Sequence, residues 1–421
     1  MIMELEIGQA KEKRGFHYAF VILLAMCVIR SLSAAGINNV GGLFLSPVSQ
    51  TLGVGVGSLS IYFSVSSVAT LLFMPVAGRI VNKFSIKRLI IIAAILQTGS
   101  FIALGFMNSV WGFYILSVPM GIGGAVLVNL AGPILINRWF KNNTGTALGV
   151  LMASVGLFGA FLQPLVLSMI EGMGWRKTYI LLGAAIAAVI LLFAILFLRN
   201  SPADKGLSPL ETKKKEKTGR TDAAIAKSVG LKAAIKSPAF YFLLVFMIAI
   251  TAFGAFSQHM APYGQSIGYS SAQMGSLLSI SMIGSTVGAI LIGIISDRVG
   301  IFKTTLLIIV GVAAAILCIA LGAASYAVFA VGGFLLGLSS MGIPVLAPLL
   351  TSAFFGERDY ESIYANVMMG PPFASVVLLP LYGFLFDIKG NYSLVLIIMG
   401  AFAVIGAICF LSGWKSKNKL A

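Results

Sequence analysis

Twelve apolar stretches, each long enough to cross a lipid bilayer, follow one another along this chain with short polar breaks between most of them. They lie near residues 16–40, 57–80, 88–107, 111–136, 144–170, 177–198, 238–266, 272–295, 304–323, 326–353, 361–386 and 392–413. Roughly 20 apolar residues in a helix cross a hydrocarbon core of about 30 Å. Inside lipid every backbone N–H and C=O needs a partner within the chain, so stretches of this kind become helices. The expectation is an all-α membrane protein with twelve transmembrane helices. With 58% hydrophobic and 10% charged residues, the chain has too little polar surface for a water-soluble domain. The first stretch is too long for the apolar part of a signal peptide, and Glu4, Glu6 and Glu12 precede it among the bases, so it is expected to persist as helix 1.

A net charge of +16 invites a nucleic-acid reading, but the placement of the bases excludes it. When the loops are assigned to alternate sides, 25 of the 29 Lys and Arg fall on the side that holds both termini. Three (Arg176, Lys177, Lys389) fall on the other, and Arg30 lies within the first stretch. Bases are retained on the cytoplasmic face, so the expected topology is multi-pass in the cell membrane with both termini cytoplasmic. The bilayer is the partner implied. Cys27, Cys318 and Cys409 all lie inside apolar runs and read as small buried hydrophobes; no disulfide framework, metal spacing or cofactor motif is present.

The one long polar segment, Arg199 to Ser237, contains a run at Lys213, Lys214, Lys215 and Lys217 and reads as a solvated linker. It divides the chain into an N-terminal bundle of six helices (1–198), a linker (199–237) and a C-terminal bundle of six (238–421). The halves repeat at an offset of 215 residues: Gly78, Asn82, Phe84 and Arg88 fall opposite Gly293, Asp297, Val299 and Lys303. Phe140 falls opposite Phe355, and Gly174 lies one residue off register from Gly390. Parallel repeats of this kind place a binding site where the halves face each other near mid-membrane.

Gly293-Ile-Ile-Ser-Asp297-Arg298-Val-Gly300 followed by Lys303 resembles the loop signature of the major facilitator superfamily, and Gly78-Arg79 through Lys87-Arg88 resembles its degraded twin. The resemblance implies the major facilitator fold: two six-helix bundles that rock about a central cavity, usually as a monomer. It also implies that Gly78, Arg79, Gly293, Asp297 and Arg298 form a gating loop, with the acidic residue latching adjacent helix N-termini. A narrower resemblance, to the monocarboxylate and oxalate-formate porter branch, rests on Gly121 to Gly124, Pro133, Asn137-Arg138-Trp139-Phe140, Thr144 to Gly149 and Gly174-Trp175-Arg176. It implies transport of small organic anions. Where that branch often carries a substrate-binding arginine in helix 8, this chain has Ala289.

Arg30 is the residue that gives the anion reading its chemistry. If the hydrocarbon begins near Ala19, Arg30 lies about 16 Å deeper, near the bilayer midplane. A guanidinium there costs about 2.5–3.5 kcal/mol on insertion scales, so it faces a cavity or a partner. All thirteen carboxylates fall in loops or at helix ends, so none is available to neutralise it. An anionic substrate supplies the missing charge, and the guanidinium fork suits a carboxylate. The competing view is a structural arginine held by backbone carbonyls. Further candidates for substrate binding are Asn38, about two turns beyond Arg30, Asn129 in helix 4, and Gln258, His259 and Tyr263 in helix 7. His259 is also the candidate for proton coupling. Gln163 is a weaker cavity candidate, and Arg138 with Trp139 reads as an interfacial anchor.

Lacking a nucleophile-base pair, a metal cluster or a phosphate loop, the chain does not read as an enzyme. The leading expectation is a secondary transporter of a mono- or dicarboxylate, exchanging it for a related anion or moving it with protons. The alternatives are an exporter of amphipathic drugs or metabolites, for which 29 Phe and 17 Met would supply a plastic pocket, and a sensor signalling through the basic linker.

Overall fold

A computed structural model describes residues 17–211 and 229–417. The lysine run of the linker and the carboxylates before helix 1 lie outside them. Twelve helices are long and apolar enough to span a membrane: α1 Tyr18–Leu45, α2 Ser58–Val81, α3 Ile86–Leu104, α4 Val110–Trp139, α5 Thr144–Met173, α6 Trp175–Leu196, α7 Pro238–His259, α8 Ser276–Val299, α9 Ile301–Ala323, α10 Tyr326–Phe355, α11 Tyr360–Phe386 and α12 Ser393–Lys417. They form two six-helix bundles, α1–α6 and α7–α12. Local chemistry marks their ends. Ser85 accepts from the Arg88 N–H at the start of α3, and Ser237 accepts from the Phe240 N–H at the start of α7, with Pro238 in the first turn. Gly174 after α5 (φ 80°) and Gly390 after α11 (φ 68°) make the turns that the repeat anticipated.

The bundles meet along two seams, α5 against α8 and α2 against α11. The repeat accounts for both, because each seam is closed by a glycine of the paired signature. A Cβ on Gly78 would stand 2.6 Å from the Ala365 Cβ and 3.0 Å from the Ser362 Cα. One on Gly293 would stand 2.9 Å from the Gly145 carbonyl carbon and 3.2 Å from the Thr146 Cα. Such backbone approach needs a residue without a side chain. Along the first seam the tight approach continues through Gly149 beside Ala289 to Gly156, where a Cβ would meet the Thr286 hydroxyl at 2.9 Å. Ala289 is fully buried at this crossing. Beyond it the helices part and line a cavity. The molecule is therefore closed at its basic end, where the described chain starts and finishes, and opens away from it.

The described parts of the linker are anchored to both bundles. Leu210 pairs with the strand-like turn at Phe140, its N–H donating to the Trp139 carbonyl at 2.9 Å, and the Val229 N–H donates to the Phe355 carbonyl at 2.9 Å. This cover explains a correction to the sequence expectation for Arg138 and Trp139. Trp139 is fully buried beneath α1, 5.6 Å from the Tyr18 ring, and does not sit at an interface. Arg138 bridges across to Glu361 of the other bundle.

Candidate functional site

The site starts from a break in helical regularity. Over Ala125–Leu130, α4 widens into a π-helix, and the Ala131 N–H reaches back five residues to the Val126 carbonyl. A widened turn leaves carbonyls without their usual N–H four residues on. Two of them take side-chain donors instead. Arg30 Nε donates to the Val128 carbonyl at 2.9 Å, and the Tyr364 hydroxyl, from α11 in the other bundle, donates to the Asn129 carbonyl at 3.0 Å. A second π segment, Ala34–Asn39, begins one turn after Arg30 in α1.

A guanidinium carries five N–H donors. Val128 takes the one on Nε; the two terminal nitrogens of Arg30 have no protein partner among the described residues. Arg30 is buried at 9% exposure, and it lines a cavity of about 900 Å³. It is the one charged residue in that lining among the described residues. Gln163, Asn39, Ser285 and Thr286 add polar groups, and Met152, Leu157, Met282 and Ile283 add apolar wall. Leu157 and Ile283 are 67% and 59% exposed, so the cavity is an open cleft. Its lining comes from α1 and α5 on one side and α8 and α10 on the other. A cation without a carboxylate, in a cleft shared by both bundles, leaves charge-assisted donors directed at whatever enters.

The other sequence candidates are distributed differently. Asn38 and Asn129 line a separate cavity of about 330 Å³ between α1, α2, α3, α4 and α11, although neighbouring Asn39 lines the Arg30 cleft. Gln258 is exposed, and half-buried His259 shares a hydrogen bond of 3.3 Å between Nδ1 and the Tyr392 hydroxyl. Tyr263 is buried, its hydroxyl donating to the Ile319 carbonyl at 3.0 Å. None of these three lines either cavity. The physical cause is the tightening of α7 into a 3₁₀ turn at Phe256–His259, which rotates the next helical turn onto the C-terminal bundle's own aromatic core, with Tyr263 against Phe256, Phe329 and Tyr392. Sequence reasoning gave Gln163 little weight and missed Tyr364 and Gln97. Gln97, a lone amide in an apolar helix, was the findable one: fully buried, it accepts from the Ser33 hydroxyl at 2.5 Å and donates to Asn38 Oδ1 at 3.3 Å.

At the basic end, Asp297 meets the first turn of α5. Oδ1 accepts from the Gly145 N–H at 3.0 Å, and Oδ2 accepts from the Thr146 N–H at 2.7 Å and the Thr146 hydroxyl at 2.6 Å. The N-terminus of a helix is where a carboxylate is stabilised by unpaired N–H groups and the helix dipole. The other seam uses different contacts. Arg138 places two nitrogens, Nε at 3.1 Å and a terminal one at 3.0 Å, on a single oxygen of Glu361, and the Ser362 hydroxyl donates to the Gly78 carbonyl at 2.9 Å. Arg79 and Arg298 are exposed. The side chain of Asn82, the repeat partner of Asp297, lies outside the described residues. No group of three or more His, Cys, Asp or Glu that would hold a metal occurs among the described residues.

Known proteins share this architecture and sequence. The chain is 25% identical over 373 residues to an oxalate:formate antiporter of Oxalobacter formigenes, covering 86% of this chain and 84% of that protein. It is 23% identical over 374 residues to monocarboxylate transporter 12 of Xenopus laevis, covering 85% and 80%. The solved structure of the proton:xylose symporter XylE superimposes with a TM-score of 0.74 at 13% identity, covering 94% of this chain and 95% of that one, which supports the fold alone. The family model described as Major Facilitator Superfamily matches residues 26–358 and 260–419. Twelve spans, paired signatures and a cleft between two bundles thus agree with the sequence match: the chain belongs to the Major Facilitator Superfamily of membrane transporters.

Proposed function

We propose that this transporter carries a small organic anion, a mono- or dicarboxylate, by alternating access, with Arg30 as the charge that holds it. The observation that carries this reading is the partly satisfied guanidinium: Nε on the Val128 carbonyl, and, among the described residues, the terminal nitrogens without a protein partner and Arg30 the one charge in the cleft. The Val128 contact fixes the plane of the fork, so a carboxylate meets the two terminal nitrogens side by side. The apolar wall at Met152, Leu157 and Met282 then takes the substrate's hydrocarbon part. Relatives named for oxalate, formate and monocarboxylates support the substrate class.

Exchange of one anion for another is the coupling this site favours. No carboxylate lines the cleft among the described residues, and His259 lies outside it. The protein sits in the cell membrane with its basic end and both termini cytoplasmic, and the Asp297 and Arg138–Glu361 contacts act as the cytoplasmic gate. Uptake of labelled oxalate and lactate into proteoliposomes tests the reading. Arg30→Ala abolishes uptake, and Arg30→Lys restores a fraction of it because a point charge replaces the fork. Near-normal kinetics in Arg30→Ala would refute it.

A further inference from the structure

The smaller cavity is built for a different chemistry from the Arg30 cleft. Among the described residues the two share no lining residue, and the smaller has no charged residue in its lining. Val128 lines it, and the same residue's carbonyl holds Arg30, so this contact stands between the two spaces. Three hydroxyls in the lining have their single proton already committed: Ser67 donates to the Phe63 carbonyl at 2.9 Å, Thr70 to Gly121 at 2.9 Å and Ser375 to Pro371 at 3.1 Å. Their oxygen lone pairs remain for a ligand. Asn38 is set from behind, because its Oδ1 accepts from Gln97, itself anchored by Ser33, which leaves the Asn38 amide N–H groups for the cavity. The Asn129 carboxamide has no protein partner among the described residues and supplies both a donor and an acceptor.

We infer that this cavity is a second binding site, for a small uncharged polyhydroxylated solute. A carboxylate there would find only the neutral N–H groups of Asn38 and Asn129, beside three hydroxyl acceptor oxygens and no cation among the described residues, and an ammonium would find no carboxylate among them. Hydroxyl groups, each donor and acceptor at once, match hydroxyl oxygens and carboxamides together. A volume of about 330 Å³ suits a molecule of a few carbons. Ser375 belongs to α11 and the other polar groups to α1, α2 and α4, so a bound solute bridges the bundles and biases their relative position.

Two reporter cysteines test this in proteoliposomes, in protein whose Cys27, Cys318 and Cys409 are replaced by alanine: Ser66→Cys in the smaller cavity and Leu157→Cys in the Arg30 cleft. The readout is the rate of maleimide labelling. Erythritol slows labelling at position 66 several-fold and leaves position 157 unchanged. Thr70→Val removes that protection, while oxalate still protects position 157 in the same variant, which shows that it is folded. No protection at position 66 by erythritol at about 100 mM, far above the millimolar affinity expected of so small a ligand, overturns the inference. So does protection there by oxalate equal to that by erythritol. A failure of the Arg30 reading shows separately, as loss of oxalate protection at position 157 in the reporter protein with erythritol protection at 66 intact.

Discussion

At the residue scale, a cation at mid-membrane is tolerable because its environment satisfies it only in part. The carbonyl that receives Arg30 exists because α4 slips into π geometry at Ala125–Leu130, and the same slip frees the Asn129 carbonyl for Tyr364. The proposed binding residue and a contact between bundles therefore share one irregular turn. Tyr364→Phe removes that contact while keeping the ring stacked on Tyr360 at 5.7 Å. A neutral hydrogen bond contributes about 0.5–1.5 kcal/mol net, so opening of the basic end becomes about two- to tenfold easier. The measurement is the distance distribution between spin labels at exposed Arg88 and Lys303, one in each bundle, by electron resonance. The longer-distance population grows in the variant; an unchanged distribution would mean that the hydroxyl contributes nothing to closure. Arg30 itself was legible in the sequence, as a charge with no counter-ion in an apolar stretch. The carbonyl holding it was not, since a one-residue shift in hydrogen-bond register leaves no mark in composition.

At the element scale, hydropathy and repeat were enough to place twelve helices and to identify the glycines that let the bundles touch. Rotation about a helix axis was beyond them. Asn38 and Asn39 are consecutive, yet they line different cavities, and the 3₁₀ turn at the end of α7 carries Tyr263 into an aromatic core. The seam glycines yield a direct prediction. A methyl at Gly293 meets backbone of α5 at 2.9–3.2 Å, whereas a methyl at Gly42 meets nothing within 4 Å. Gly293→Ala lowers uptake several-fold at equal protein level in the membrane, and Gly42→Ala stays close to the parent. Equal rates in the two variants would show that closure tolerates a wider seam. Asp297→Asn weakens the same seam by removing the charge and one accepting oxygen. A carboxylate at a helix N-terminus contributes about 0.3–2 kcal/mol. The spin-label distances at the basic end lengthen in Asp297→Asn, and an unaltered distribution would mean that neither the charge nor the accepting oxygen lost in the variant holds the seam.

At the scale of the whole molecule, two bundles close at one end and present toward the other a cleft with a single charge among the described residues. On the proposed function, an anion entering the cleft neutralises Arg30 and touches α1 and α5 together with α8 and α10, so binding and the approach of the bundles favour each other. Empty, the closing molecule would have to enclose an uncompensated guanidinium, which is costly in a low-dielectric interior and disfavours return without cargo. That asymmetry predicts obligatory exchange: efflux of labelled anion from preloaded proteoliposomes is fast with external anion and slow without it, and equal rates would argue for a uniporter. The proposed transport rests on one contact, between the buried fork of Arg30 and a carboxylate. Equilibrium binding of labelled oxalate to purified protein tests it most directly. Truncating one partner of a desolvated charge pair costs about 2–5 kcal/mol, so Arg30→Ala weakens binding by about 30-fold to several thousand-fold while the parent binds saturably at one site. Binding within twofold of the parent in a folded Arg30→Ala protein would contradict the account.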